Sequence, residues 1–589
     1  MPYVAPVKDM LFVMHRLAGL AQVAALPGFE DASPDTAQAV LEQAAQFAGA
    51  VVAPLNQPAD RDPGAWHDGH VRTAAGFREA LRQYADAGWQ GMSHPVAYGG
   101  QGLPGLVAAP CAEMLNAANL SFALCPLLTN GAIEALLAAG SPELRSRYLE
   151  PLIAGRWTGT MNLTEPQAGS DLALLRARAE PAGDGSYRIR GTKIFITYGE
   201  HDLAENIVHL VLARLPGAPD GIRGLSLFLV PKFLPDAAGA PGPRNDVHCV
   251  SIEHKLGIRA SPTATMQFGD AGGAVGYLVG QENHGLDAMF VMMNAARFAV
   301  GLQGVAIAER AYQRARAYAA ERVQSRPVDG SSRQAVPIVE HPDVRRMLGV
   351  MRALGEAGRA LAYCTAAHAD HAHAAPDPAE RARHQAIHAF LVPIVKGWCT
   401  EMSIEVASLG IQVHGGMGYI EETGAAQYYR DARILPIYEG TTAIQANDLV
   451  GRKTLRDGGA TARWLLDEIA KTEHDLQARA EPQARRMLAP LRQAREALAS
   501  AVGFVLEHAA SAPNAVFGAA VPYLLLAGTT LAGWQMARAL LASLDLKAED
   551  PAFHEAKIAT AQCYALHKLS QAPGMAAAVL GSADYEVEP

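Results

Sequence analysis

The sequence predicts a multidomain α+β fold: an N-terminal α-helical domain (residues 1–157), a central β domain (158–280), an α-helical bundle (281–456) and an additional C-terminal α-helical domain (457–589). Three observations carry this reading. A chain of 589 residues is too long for one hydrophobic core, which stops growing near roughly 250 to 300 residues. Half of the residues are hydrophobic, with 6% aromatic and 19% charged, the balance of an Ala/Leu-rich helical protein rather than a disordered one. Only between about Thr158 and Gly280 does the hydrophobic pattern change from the helical period to a period of two.

The elements follow in order. Ser33-Pro34-Asp35-Thr36 reads as an N-cap with proline at the first helical position, ahead of a helix that runs to about Val52. Helical periodicity continues to roughly Glu150, broken at Tyr98 to Gly105 by a glycine-rich stretch. Strands are then expected at Tyr187 to Arg190 after the Asp184-Gly185 turn, from Asn206 to Leu215, and from Leu225 to Val230. Past Gly285 the helical pattern returns, interrupted at Asp329 to Pro337 and at Ala375-Pro376-Asp377-Pro378. Asp457-Gly458-Gly459 marks the boundary before the last helical block.

Composition excludes several classes. The 50 Lys and Arg against 59 Asp and Glu leave a net charge of −9, which argues against nucleic acid or an anionic membrane as the main partner. The six cysteines are scattered with no C-x-x-C pair, so neither a zinc site nor a disulfide framework is indicated and a reducing compartment fits. Met1 to Leu20 carries Asp9 and lacks the basic start and unbroken apolar run of a signal peptide, so the expected location is cytoplasmic. Ala515 to Trp534 has no charged residue and reaches membrane length, but its Gly, Ala, Thr and Pro522 content fits a helix buried among other helices, not an integral span.

Two local patterns read as structural. Gly100-Gln101-Gly102-Leu103-Pro104-Gly105 matches G-x-G-x-x-G, but no β-rich run precedes it and Pro104 sits inside it, so a loop is expected rather than a dinucleotide fingerprint. His368, His371, His373, His384 and His388 form a histidine cluster without the Glu of H-E-x-x-H or an acidic third ligand at fixed spacing, which reads as a solvated helix surface and no metal site. No G-x-S-x-G elbow or Walker loop is present, so serine-hydrolase and P-loop chemistry lack support.

Three segments are more specific. Met161 to Asp171 (Met-Asn-Leu-Thr-Glu-Pro-Gln-Ala-Gly-Ser-Asp) opens the β domain with hydroxyls and backbone N–H groups suited to a polar ring edge or a phosphate. Gln412-Val413-His414-Gly415-Gly416-Met417-Gly418-Tyr419 sets three glycines between helices, where backbone can approach a pyrophosphate. Ile437-Tyr438-Glu439-Gly440-Thr441-Thr442 places a carboxylate in an apolar setting just before a helix capped by threonine.

In this order and spacing, with 27 residues between Gln412 and Glu439 and 25 between Arg297 and Arg322, the segments resemble the acyl-CoA dehydrogenase family over about Met1 to Arg452. Tyr3 to Met10, Glu321 to Arg326 and Glu340 to Leu348 resemble its larger branch, which takes in enzymes of the 3-methylmercaptopropionyl-CoA and broad-range fatty acyl-CoA type and carries an extra C-terminal helical domain.

The resemblance implies FAD as cofactor and α,β-dehydrogenation of an acyl-CoA to a trans-2-enoyl-CoA, with Glu439 as the catalytic base. The position used for the base in some relatives is here Ala296, before Arg297. It further implies that Leu163, Thr164 and Ser170 hold one side of the flavin, with Phe195, Ile196 and Thr197 behind the ring and Thr197 toward N5. Phe195 stands where many relatives carry Trp, keeping the stacking surface without the indole donor. Arg322, Gln412, Gly415 and Gly416 would bind the ADP half of a neighbouring subunit's FAD, so a homo-oligomer, a dimer, is expected; Thr441 and Ala443 complete the cofactor set. Ser170, Arg297 and Gly440 would meet the substrate, and an electron-transferring flavoprotein would take the electrons.

Two rivals bear on that reading. An acyl-CoA oxidase would hand electrons to O₂ instead. A non-catalytic flavoprotein of this fold binding DNA through its C-terminal extension fits poorly, because residues 461–589 hold eleven Lys and Arg against fourteen Asp and Glu. No motif fixes the acyl chain, since each methylene is worth only about 1 to 3 kcal/mol in such pockets.

Overall fold

The computed structural model describes residues 3–583, which pack as two compact units. One, the sheet unit, comprises residues 46–103 and 118–296; the other, the helical unit, comprises residues 3–45, 104–117 and 297–583.

In the sheet unit eight strands are ordered Val247–Ile252, Thr263–Phe268, Tyr187–Thr197, Ala274–Val279, Leu225–Pro231, Asn206–Arg214 and Trp157–Asn162, with Arg178–Pro181 pairing off this path. The long strand Tyr187–Thr197 serves three neighbours: its first half pairs with Ala274–Val279 and Arg178–Pro181, its second half with Thr263–Phe268. Most pairs are antiparallel, and Trp157–Asn162 runs parallel to Asn206–Arg214. The three strands expected from the sequence are present, but Asn206–Arg214 and Leu225–Pro231 are buried on both faces instead of alternating. The reason is that one face packs on Leu128, Leu136, Leu149 and Trp157 while the other encloses Ile189, Ile196, Met266 and Phe268. The helix Leu120–Ala139 lies so close to the sheet that a Cβ on Gly159 would sit 2.4 Å from Ala132 Cβ, so only glycine fits there.

The helical unit is built on the long helices Pro342–Ala374 and Pro378–His414, an antiparallel hairpin turned by Ala375-Pro376-Asp377, with Asp377 capping the second helix. Ser33 caps Pro34–Phe47 by accepting from Thr36 N at 3.1 Å, as its residues predict, and the turn that follows, Ala48–Val52, is a π-helix. Leu120–Ala139 and Gly285–Glu321 are long and apolar enough to cross a bilayer, yet 67% and 61% of their most apolar stretches are buried within the protein. Ala515 to Trp534 falls mostly in the helix Ala520–Leu546, whose side chains from Tyr523 to Leu540 are largely buried.

That helix and Pro551–His567 pack onto the hairpin. Trp398 Nε1 donates to Thr529 Oγ1 at 3.2 Å over Gly528, where any Cβ would strike the Trp398 ring. A buried ion network ties the same layers together. The Arg359 guanidinium, 1% exposed, meets Glu113 at 2.6 Å, Asp9 at 2.6 Å and Glu309 at 2.8 Å, and the Lys557 ammonium meets Asp9 and Glu356. Burial alone would favour loss of the Arg359 proton, but the three carboxylates hold it firmly charged.

Candidate active site

Glu439 sits on a sharp loop between Ile437 and the helix Thr442–Asp448, which Thr441 caps by accepting from Ile444 N at 3.3 Å. Glu439 and Gly440 both take the left-handed region, with φ of 54° and 87°. For a glutamate this conformation is strained, and it persists because the surroundings fix it. Lys396 Nζ donates to the Gly440 carbonyl at 2.6 Å, and Gln445 Nε2 donates to the carbonyls of Glu439 and Gly440 at 3.2 and 3.3 Å. Thr442 N closes the loop onto the Pro436 carbonyl at 3.0 Å, and its hydroxyl donates to Glu401 at 2.6 Å. The Tyr438 hydroxyl donates to Gln303, which in turn donates to Asn116 at 3.1 Å.

The loop itself is rigid while the acid on it is left unspent. Among the described residues neither the Glu439 carboxylate nor its backbone N–H makes a hydrogen bond. Desolvation pushes the Glu439 carboxyl above its ordinary value, opposed by Arg297 and Lys396. Lys396, with no exposed surface, is brought down to about 7 by burial, against the pull of Glu439. Arg297 is 5% exposed and stands 3.8 Å from Asp448, its charge disfavoured by burial and supported by Asp448 and Glu439. Lys396, Gln303 and Gln445 were given no role in the reading of the sequence. A lysine in the middle of the apolar stretch Phe390 to Cys399 is the one signal that could have singled out Lys396.

In the same unit the glycine loop follows the helix Pro378–His414 directly, and Gln412, Gly415 and Gly416 are all exposed. The His414 ring stacks on Tyr318 at 4.4 Å, one turn before Arg322. That contact brings Arg322, exposed and donating to Gln324 Oε1 at 3.1 Å, to the same end of the helices as the glycines. Ala443 is exposed in the first turn of its helix.

The sheet unit holds the other candidates. Leu163 and Thr164 lead into a tight turn in which Glu165 and Ala168 exchange backbone hydrogen bonds, and Ser170 stands exposed beyond it. This loop is clamped from beneath. Lys193, without exposed surface, donates from Nζ to the Leu163 carbonyl and to Glu165 Oε1, both at 2.9 Å. The Glu165 carboxylate also accepts from the backbone N–H groups of Arg176 at 2.7 Å and Ala177 at 3.0 Å. Burial would raise the Glu165 carboxyl, but Lys193 and these N–H groups hold it below its usual range, while burial brings Lys193 down to about 8.

Across the loop, Ile194 N donates to the Thr164 carbonyl at 2.9 Å, which sets Phe195 beside it. Phe195 has φ of 59° and its ring is 60% exposed, an aromatic face held out from the end of a strand. Ile196 is 2% exposed with its side chain in the sheet core, so it can offer a ligand only its backbone, whereas Thr197 is partly exposed. The flat exposed ring, the hydroxyls of Thr164 and Ser170 and the clamped loop fit the edge and face of a planar heterocycle such as a flavin. Lys193→Met is expected to free the loop and weaken its affinity for added FAD by about tenfold or more, read by titrating the apoprotein with FAD, a hydrogen bond to a charged group being worth roughly 1.5 to 3 kcal/mol.

Two other patterns resolve clearly. The G-x-G-x-x-G stretch is a loop entered from a 3₁₀ turn, and its last glycine opens the helix Gly105–Ala118. The free N–H groups there are taken by the protein's own Asp370, which accepts from Gly105 at 2.7 Å and Leu106 at 2.8 Å, so no phosphate is called for. The histidine cluster is not a solvated surface: His373 is exposed, but His368, His371, His384 and His388 are partly buried within the hairpin, because Pro376 and Pro378 turn the second helix back against the first.

Comparison with known proteins identifies the family. Residues 34–156, 160–271 and 283–453 match the family models described as the acyl-CoA dehydrogenase N-terminal, middle and C-terminal domains, and 465–587 matches "Acetyl-CoA dehydrogenase C-terminal like". A 3-methylmercaptopropionyl-CoA dehydrogenase of Ruegeria pomeroyi is 55% identical over 567 residues, 96% of either chain. The broad-specificity linear acyl-CoA dehydrogenase FadE5 of Mycobacterium tuberculosis is 33% identical over 96% of this chain and 95% of its own. In fold, an acyl-CoA dehydrogenase of Bacillus anthracis solved with FAD superposes with a TM-score of 0.75 at 22% identity, covering 98% of this chain and 92% of its own. The chain belongs to the acyl-CoA dehydrogenase family, and it is an acyl-CoA dehydrogenase.

Proposed function

We propose that this enzyme oxidises a short acyl-CoA, 3-methylmercaptopropionyl-CoA foremost, to its trans-2-enoyl-CoA, with Glu439 as the base. The observation that carries the base assignment is the Glu439 loop: an unspent, desolvated carboxylate on a backbone fixed by Lys396, Gln445 and the Tyr438–Gln303 pair. An ordinary carboxylate is too weak for a carbon acid, and desolvation strengthens it as a base. The unengaged Glu439 N–H would donate to the thioester oxygen, acidifying the α-carbon as charge develops there. Glu439 takes the α-proton, and Arg297 balances the charge beside it.

FAD fits the exposed ring and clamped loop of the sheet unit, where bound flavin would supply the acceptor for the hydride leaving the β-carbon. Thr164 and Ser170 would hold its polar edge, Phe195 and Thr197 its ring, and Arg322, Gln412, Gly415 and Gly416 the ADP half from a neighbouring subunit. The protein is accordingly proposed to be a homodimer, to be checked by light scattering. The substrate assignment is supported by the 55% identity with the Ruegeria pomeroyi enzyme. Electrons are proposed to pass to an electron-transferring flavoprotein, and a cytoplasmic site is in keeping with six unpaired cysteines.

The test is anaerobic bleaching of the visible flavin band by a panel of acyl-CoAs. Faster bleaching by 3-methylmercaptopropionyl-CoA than by butyryl-CoA or longer chains supports the substrate; equal rates along the panel would replace it by a broad acyl range. Stoichiometric hydrogen peroxide during aerobic turnover would replace the flavoprotein acceptor by O₂.

Lys396 gives this reading a pH signature. Its charge lowers the Glu439 carboxyl, so Lys396→Met should raise it further. The base works only when ionised, so the acid limb of the flavin-reduction profile should move to higher pH. The effect should fade above about pH 7, where Lys396 itself loses its proton.

A further inference from the structure

We propose that His371, Glu380 and His384 form a binding site for one zinc-class divalent cation that staples the two long helices of the helical unit together. His371 lies in the last turn of Pro342–Ala374; Glu380 and His384 lie four residues apart on one face at the start of Pro378–His414. The Pro-containing turn between the helices brings these three residues together. His371 Nδ1 and His384 Nε2 each stand 3.7 Å from Glu380 Oε1, and one ligand atom from each residue lies within 4.8 Å of the others. Around a tetrahedral zinc with ligand bonds of about 2.0 to 2.2 Å, donor atoms are roughly 3.3 to 3.6 Å apart, so closure needs side-chain movements of about 1 Å.

Two further features favour a cation over a plain ion pair. His371 Nδ1 is buried and makes no hydrogen bond among the described residues, an orphan that a metal would satisfy. His384 is oriented from behind, its Nδ1 lying 2.8 Å from His368 Nδ1, so that with His384 as donor its Nε2 lone pair faces Glu380. That is the arrangement by which an outer partner fixes the tautomer of a metal-bound imidazole.

The His371 and His384 rings lie nearly parallel, 17° apart with centroids at 4.5 Å, so binding requires each to turn about its Cβ–Cγ bond, which their partial exposure allows. Arg383 lies close enough to oppose positive charge here and is exposed to solvent. Two imidazoles and one carboxylate suit zinc or cobalt better than magnesium or calcium. Three protein ligands leave the fourth position to water. Nothing in the dehydrogenation needs this ion; its effect is to lock the end of the hairpin.

The experiment uses tag-free, chelator-treated holoenzyme, titrated with Zn²⁺ in a calorimeter and with Co²⁺ in the visible spectrum. The expected result is one equivalent bound, a visible cobalt spectrum of low coordination number, and a higher melting temperature with metal. Glu380→Gln and His371→Ala should each remove the saturable equivalent. His368→Ala should weaken it by about 10- to 100-fold. His373→Ala, changing an exposed histidine of the same helix, should leave it intact. Glu380→Gln keeps size and is the arm least able to perturb folding; the FAD content of each variant checks that the fold is retained. The proposal is overturned if no saturable equivalent binds, or if binding persists unchanged in Glu380→Gln and His371→Ala.

Discussion

Glu439→Gln will leave FAD bound and abolish its bleaching by acyl-CoA, a loss of about 10²- to 10⁴-fold or more in the rate of flavin reduction. The substitution is clean because the carboxylate makes no hydrogen bond that the amide would break, and the loop is held through its carbonyls by Lys396 and Gln445. A structural role would therefore show as lost flavin or a changed melt, whereas a base would show as lost chemistry alone. The stability effect has the opposite sign. A carboxyl raised in the folded state contributes stability at low pH that is lost as pH rises above its ordinary value of 4.5 and through its folded value. At neutral pH the neutral amide removes that loss, so Glu439→Gln should melt no lower than the parent and somewhat higher. A variant that keeps a tenth of the parent rate would sink the base assignment.

What the sequence made legible is local. The Ser33 and Thr441 caps, the Asp184-Gly185 turn and the Gly-rich loop after His414 depend on residues within one turn of each other, and each stands where its pattern placed it. The segment Tyr438-Glu439-Gly440-Thr441 is likewise local, since strain at Glu439 and the cap after it come from adjacent residues. The supports of the site are not local. Lys396 reaches Gly440 across 44 residues, Tyr438 reaches Gln303 across 135, and Lys193 reaches Glu165 across 28. The purpose of each depends on which carbonyl, carboxylate or amide the fold brings to it. The histidine cluster shows the same limit from the other side: spacing along the chain offered no acidic third ligand, and only the turn at Pro376 places Glu380 beside His371 and His384. Alternation likewise called two strands correctly while missing that both of their faces are covered, because a second layer is a property of the whole unit.

Arg359→Met should be the most destabilising single substitution in the helical unit, at about 3 to 5 kcal/mol, because it leaves buried carboxylates without their cation. The side chain bonds Glu113, Asp9 and Glu309 at once, across 246, 350 and 50 residues, so its loss is felt by the N-terminal helix, the segment at residues 104–117 and the bundle together. Glu113 is the critical partner. It has no exposed surface, and burial already lifts its carboxyl above the ordinary range despite Arg359 and the Tyr363 hydroxyl 2.7 Å away. Without the guanidinium, Glu113 is the group expected to take up a proton, so the melting temperature of Arg359→Met should fall more steeply than the parent's as pH rises from 5 to 8. Lys557 retains Asp9 and Glu356 and keeps the extension docked through them. Adding Glu113→Gln to Arg359→Met should therefore recover part of the loss, since the double variant removes both a cation and the carboxylate that most needs it. Thermal melts of the two variants decide the matter: additive losses would mean that Arg359 acts through packing rather than charge, whereas partial recovery identifies the buried ion cluster as what holds the N-terminal helix and the C-terminal extension to the bundle.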